Sequence, residues 1–113
     1  MHELSVVLQV VETVEKFAVE NEIKQIDSLV LQIGELSSMI PRYVEECFPV
    51  VVGGTMLEDT KLEIEIIPGI VRCDECGKEF NLLENNGKCP DCIDSHWELI
   101  TGKEFYIKQI VAC

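Results

Sequence analysis

Positive charge is scarce in this chain: 9 Lys and Arg stand against 21 Asp and Glu, a net charge of −12 at neutral pH. Nucleic-acid binding draws on a basic stripe that neutralises phosphates, and none is visible, so a nucleic-acid partner is not expected. Long apolar runs are missing too; stretches such as Pro49–Val52 are far too short to cross a bilayer. No signal peptide is expected, because Met1 leads straight into an amphipathic pattern interrupted by Glu3, Glu12 and Glu15. No low-complexity tract occurs, and no repeat beyond two Cys-x2-Cys pairs. No nucleophile, base and orienting group form a recognisable constellation, so catalysis is not expected either.

What is present suits a folded domain. The apolar fraction is 47% over 113 residues, enough for one domain, or one small domain with a metal-held excursion. The core is limited at this size, so a structural metal would add usefully to stability. Six cysteines without a leader sequence point to a reducing, cytoplasmic setting, where paired Cys usually bind metal rather than form disulfides. The acidic balance favours solubility and suits cationic metals or basic protein partners.

Leu4, Val7, Leu8, Val11, Val14 and Ala18 recur at helical spacing, with Gln9, Glu12, Glu15 and Lys16 facing away. They predict a helix from about Glu3 to Glu20, closed by Asn21. Ser28–Ile33 is short and β-branched and reads as a strand ended by Gly34. A second helix is expected after Ser38, with Pro41 in its first turn and Val44, Cys47, Phe48 and Val51 on its apolar face. Pro49 should kink or stop it near Phe48. In Lys61–Ile67, Leu62, Ile64 and Ile66 alternate with Lys61, Glu63 and Glu65, the pattern of a strand with one wet face. Residues 70–102 carry four of the six Cys and little helical pattern; Lys103–Val111 then resumes as a strand. The expected architecture is α+β: a small three-stranded sheet covered by two helices, with a zinc-ribbon-like domain inserted before the last strand. The corresponding units are residues 1–68 plus 103–113, and residues 69–102.

Cys73-x2-Cys76 and Cys89-x2-Cys92 are separated by twelve residues. Each pair puts two thiolates on one tight turn, and two such turns facing each other make a tetrahedral S4 cage. Gly77 permits a positive φ after the first pair, and Pro90 fixes the turn within the second. Two redox dithiols would use the same residues, but paired Cys-x2-Cys at this spacing is a specific metal signal. Four protein ligands leave no open position, so the metal is expected to be structural. Spacing leaves iron open; with no second redox cofactor suggested, Zn(II) is the expectation. Cys47, on an apolar helix face, reads as a core residue, and the terminal Cys113 as idle.

The amino terminus offers a second donor set. The α-amine of Met1, the backbone nitrogens of His2 and Glu3 and the His2 imidazole lie on one short segment. They can chelate in a plane if amides give up protons, an arrangement Ni(II) and Cu(II) favour and Zn(II) does not. The first N–H groups of a helix lack intrahelical acceptors, so recruiting them breaks no ladder bond. Against this, terminal histidines are mostly just solvated, and the helix dipole disfavours a cation. His96, the only other imidazole, reads either as a surface residue beside Trp97 or as a supplementary nickel ligand.

MHELS at residue 1, IGELS at 33–37, the four cysteines and ELITGKEFYIKQI near the end occur together in this order. Across essentially the whole chain they resemble the hydrogenase maturation nickel-incorporation proteins, the HypA/HybF family. The resemblance implies a nickel metallochaperone that carries Ni(II) as transient cargo to the large-subunit precursor of [NiFe] hydrogenase. It also implies a partner GTPase of the same maturation pathway. By position it makes His2 the nickel ligand, assisted by backbone donors at Met1 and Glu3, and Cys73, Cys76, Cys89 and Cys92 the zinc ligands. A monomer or weak homodimer is expected. A zinc-ribbon interaction or regulatory module with an incidental terminal histidine is the competing reading.

Overall fold

Valines spaced three and four apart, with Ala18 closing the row, give the first helix one apolar stripe. In the computed structural model, which describes residues 2–92 and 96–112, that helix, α1, spans Glu3–Glu20 and ends on Asn21 as its C-cap. Met1 and Cys113 lie outside the described residues. The buried stripe is Val7, Val10, Val11, Val14 and Ala18. Leu4 and Leu8, expected on the inner face, are instead 52% and 44% exposed. The stripe runs one row over from the leucines, because the faces that cover α1 meet it along the valines.

Strand β1, Ile26–Gly34, is the centre of the first sheet, whose order is β2-β1-β6. Its Leu29, Leu31 and Ile33 are essentially fully buried under the helices. Helix α2, Pro41–Val52, carries the chain across to β2, Lys61–Ile67, which pairs parallel with β1 from Ser28↔Lys61 to Gly34↔Ile67. A parallel neighbour needs such a crossover, and α2 supplies it together with a second apolar face, Val44, Phe48 and Val52. Ile66 is half exposed, as expected of an edge strand's end rather than of the covered face read from alternation.

Of the two outcomes expected of Pro49, a kink or a stop near Phe48, the stop does not occur: the helix runs a further turn, to Val52. Pro49 is exposed, and so is Glu45, whose carbonyl loses its helical donor to the proline; water can satisfy it. Phe48 and Val52 are both buried and fix the last turn on the core.

After β2 the chain leaves for a second three-stranded sheet, order β4-β3-β5, made of β3 (Ile70–Cys73), β4 (Glu79–Asn81) and β5 (Trp97–Thr101). It returns as β6, Phe105–Ala112, antiparallel to β1 on the side opposite β2. Lys108 is the extra residue where the register slips between Val30↔Gln109 and Leu31↔Ile107. On the open face of the first sheet, its ammonium reaches across β1 to Glu65 at 2.8 and 3.0 Å, and Gln32 Nε2 donates to the same carboxylate at 3.2 Å. The second sheet has its own small core: Val71 and Phe80 packed with Cys73 and Cys89.

The chain crosses between the sheets twice, at 67–70 and 101–105, and the end of β1 meets both crossings. Gly34 N–H donates to the Glu104 carbonyl at 2.7 Å, Glu35 N–H to Ile67 at 2.8 Å and Leu36 N–H to Gly102 at 2.7 Å. The approach is so close that a Cβ on Gly34 would stand 2.0 Å from the Gly102 carbonyl oxygen, and Gly102 itself sits at φ +119°.

Candidate metal centres

The four-cysteine cluster is assembled by turns the local sequence favours. Cys73 closes β3, where its N–H donates to the Lys78 carbonyl at 2.9 Å, and its own carbonyl accepts the Gly77 N–H at 2.9 Å. Gly77 adopts φ +75°, the conformation that motivates a glycine there. Glu75 N–H points at the Cys73 Sγ at 3.4 Å, a common way for a knuckle to support a thiolate. In the second turn, Cys92 N–H reaches the Cys89 carbonyl at 3.4 Å.

The four Sγ atoms lie within 4.8 Å of one another, and Cys76 and Cys89 are 3.7 Å apart. A tetrahedron with Zn–S arms of ~2.3 Å has edges of ~3.8 Å, close to the Cys76–Cys89 separation, so the cluster has roughly the dimensions of a single zinc site. Cys73 and Cys89 are buried, Cys92 is half-buried and Cys76 is exposed, so the cluster has an inner wall and one open side. Burial, together with the neighbouring thiols, pushes the Cys92 thiol up to about 12, and burial raises that of Cys89 as well. Ionising such a cluster requires a compensating cation in its midst, which is what a divalent ion supplies. A bound zinc would act here by cross-linking the two turns.

His96 belongs to this end of the molecule: it is exposed, and its carbonyl accepts the Asp74 N–H of the first knuckle at 2.9 Å. His2 belongs to the other. It is the N-cap of α1, at φ −126° and ψ 24°, and its side chain makes no capping bond. Its carbonyl accepts the Val6 N–H at 3.0 Å and the Ser5 hydroxyl at 3.1 Å, which starts the helix and leaves the exposed imidazole uncommitted. Two open cavities meet at His2. One, of about 520 Å³, is shared with α2 through Tyr43, Glu46 and Cys47. The other, of about 570 Å³, is shared with residues 36–39, Lys103 and Phe105. Among the described residues, the zinc-type cysteine cluster is the only group of three or more metal-ligating side chains that converge.

From the sequence, Glu3 is a candidate donor mainly through its backbone nitrogen. Its side chain is in fact buried, and Glu3 Oε2 accepts the N–H of Ile40, the N-cap of α2, at 3.1 Å. The amino-terminal charge, the Ile40 N–H and its own N–H hold the carboxyl down to about 2. The start of α1 is thus tied to the start of α2. No periodicity could have shown this, because an acid in the first turn of a helix is ordinarily a solvated dipole partner.

Fold and cluster together define a class: a small α+β protein with two helices on one sheet and, between its two sheet crossings, a four-thiol cluster that could hold a metal ion. A family model described as hydrogenase/urease nickel incorporation, metallochaperone, HypA matches residues 1–112. The protein named hydrogenase maturation factor HypA from Nostoc sp. is 39% identical over 110 residues, covering 97% of this chain and 94% of that one. Its namesake from Geobacter metallireducens is 36% identical, covering 97% of each chain. The solution structure of the Ni metallochaperone HypA from Helicobacter pylori shares the fold, with a TM-score of 0.68 at 24% identity over 99% of this chain and 97% of that one. The chain belongs to the HypA family, the nickel-incorporation metallochaperones of hydrogenase maturation. No helix among the described residues is long and apolar enough to cross a membrane.

Proposed function

We propose that this protein binds Ni(II) at its amino terminus through His2, with backbone donors at Met1 and Glu3, and delivers it to the large-subunit precursor of [NiFe] hydrogenase. The observation that carries the reading is the state of His2: an exposed imidazole at the head of α1, outside any capping bond, opening on two cavities. Family membership supplies the cargo. A site at a chain end can open by fraying a single turn, which suits a carrier that must release what it binds. The four cysteines hold a structural Zn(II), and its four protein ligands leave it no position for substrate. On this reading, residues 1–68 plus 103–113 form the nickel-binding unit and residues 69–102 the zinc unit. The protein works in the cytoplasm with a maturation GTPase, as a monomer or weak homodimer, and catalyses no reaction itself.

Nickel titration of the native chain against a version with a few residues added before Met1 tests this. Extension removes the free α-amine beside His2 and leaves the cysteine cage untouched. Nickel binding is expected to fall by at least tenfold while zinc content holds. Identical nickel binding in both would overturn the terminal site and return the molecule to a zinc-ribbon interaction module. A His96→Ala variant with unchanged nickel stoichiometry, affinity and spectrum would remove His96 from the ligand set; retaining it requires the cysteine end to reach over the terminus.

A further inference from the structure

Glu35 occupies the one turn that touches everything relevant to how the two ends of the molecule are held. Its backbone and those of Gly34 and Leu36 bond to both crossings between the sheets. Its carboxylate goes further than the crossings. Oε1 accepts the Gly69 N–H at 3.1 Å and, at 3.1 Å, the side-chain amide of Asn81, the last residue of β4 in the cysteine-bearing sheet. Asn81 is itself fixed from the other side, since its Oδ1 accepts the Glu84 N–H at 3.0 Å. On the far flank of the same turn, Leu36–Met39 with Lys103 and Phe105 wall one of the cavities at His2.

Two crossings alone make a hinge, because each is a few residues of chain between rigid sheets. A tie to a third strand broadens such a joint and stiffens it against swivelling. The Glu35–Asn81 bond is such a tie: Asn81 and Thr101 flank Ile70 in register, so β4 is held to the turn beside the two strands that cross. As a carboxylate accepting two donors, Glu35 forms the stronger class of hydrogen bond.

We infer that Glu35 is a positioning residue: its carboxylate latches the cysteine-bearing sheet to the turn beside His2 and fixes the pose in which the two metal ends are presented together. The latch stands on geometry alone. Only its use in delivery rests on the nickel reading above, and the test below is run without nickel, so the two can fail separately.

The experiment is measurement of residual dipolar couplings and 15N relaxation on the zinc-loaded full chain. In the native protein, couplings from β1, β2 and β6 and from β3–β5 should fit one alignment tensor. Glu35→Ala should require two tensors, with β3–β5 amides relaxing at a shorter correlation time than those of the first sheet, and should shift the amide signals of Leu36–Met39 and Val6. Asn81→Asp keeps the oxygen that Glu84 needs but sets two carboxylates against each other, and should give the same separation. Combining it with Glu35→Gln reverses donor and acceptor: the new amide keeps an oxygen for Gly69 and offers an N–H across the gap. The double variant should return to a single tensor. A single tensor in both Glu35→Ala and Asn81→Asp would overturn the latch, and so would a double variant as loose as the single ones.

Discussion

Chelation of zinc should unfold one sheet and spare the other. Among the described residues, the core of the β3–β4–β5 sheet contains two well-buried apolar side chains besides its cysteines, Val71 and Phe80, with Leu82 and Leu99 partly buried beside them. At ~1.5–3 kcal/mol per fully buried side chain, that pair contributes about 3–6 kcal/mol. A structural zinc in a small cysteine site contributes on the order of 10–16 kcal/mol at neutral pH. The metal term is the larger by a wide margin, and a sheet with strands of four, three and five residues has little else to rely on. The first sheet is in a different position: Val14, Leu29, Leu31, Ile33 and Val44 are buried to within a few per cent under two helices. Titrating the protein with a tight chelator while following 15N–1H spectra should therefore collapse the dispersion of Val71, Phe80 and Leu99 as zinc leaves. The signals of β1, β2 and most of β6 should persist, with changes concentrated near Gly34–Leu36 and Gly102. Native dispersion of the Val71 and Phe80 amides after complete zinc removal would refute the reasoning, as would simultaneous loss of both sheets.

Two further outcomes follow from the first sheet. Leu31→Ala removes a fully buried side chain at the centre of β1 and should cost ~2–5 kcal/mol in urea unfolding, with zinc content unchanged. Glu65 is held below the usual carboxylate range by Lys108 and then by Gln32. A depressed carboxylate stabilises the fold above its unfolded pKa, and that contribution is lost as pH falls through the lowered folded value. The stability advantage of the native chain over Glu65→Gln should be constant near neutrality and vanish as the pH drops below about 4; an advantage that does not change on acidification would exclude the ion pair as its source.

The elements with strong local periodicity were readable from residues alone. The bounds of α1 agree at both ends, the alternation in Lys61–Ile67 marks β2, and the two Cys-x2-Cys pairs form one cluster in space. What could not be read depends on neighbours distant in sequence. Leu4 and Leu8 are more apolar than several of the valines that are buried, but α2 and the sheet meet α1 along Val7, Val10, Val11 and Val14. Pro49 carries a local penalty that two buried side chains of the last turn override. Gly34 announces a strand end, yet its reason for being glycine is the Gly102 carbonyl almost seventy residues away. Glu3 and Glu35 look like ordinary acids in a helix start and a turn; their partners, Ile40 and Asn81, are specified by tertiary contact only.

The insertion of the second sheet between β2 and β6 also sets an order of assembly. β6 must find the free edge of β1 after an excursion from Pro68 to Glu104, a long loop whose ends have to be brought together before any ladder bond forms. Closing a loop costs entropy that grows with its length, and pairings between residues far apart in sequence form slowly. Metal capture by the four cysteines would tie Cys73 to Cys92 and take the middle of that excursion out of the search. A chain that has already gathered its cysteines delivers β6 to the waiting edge on a short tether. A metal bound at one end of the molecule would thereby govern how quickly the other end becomes complete.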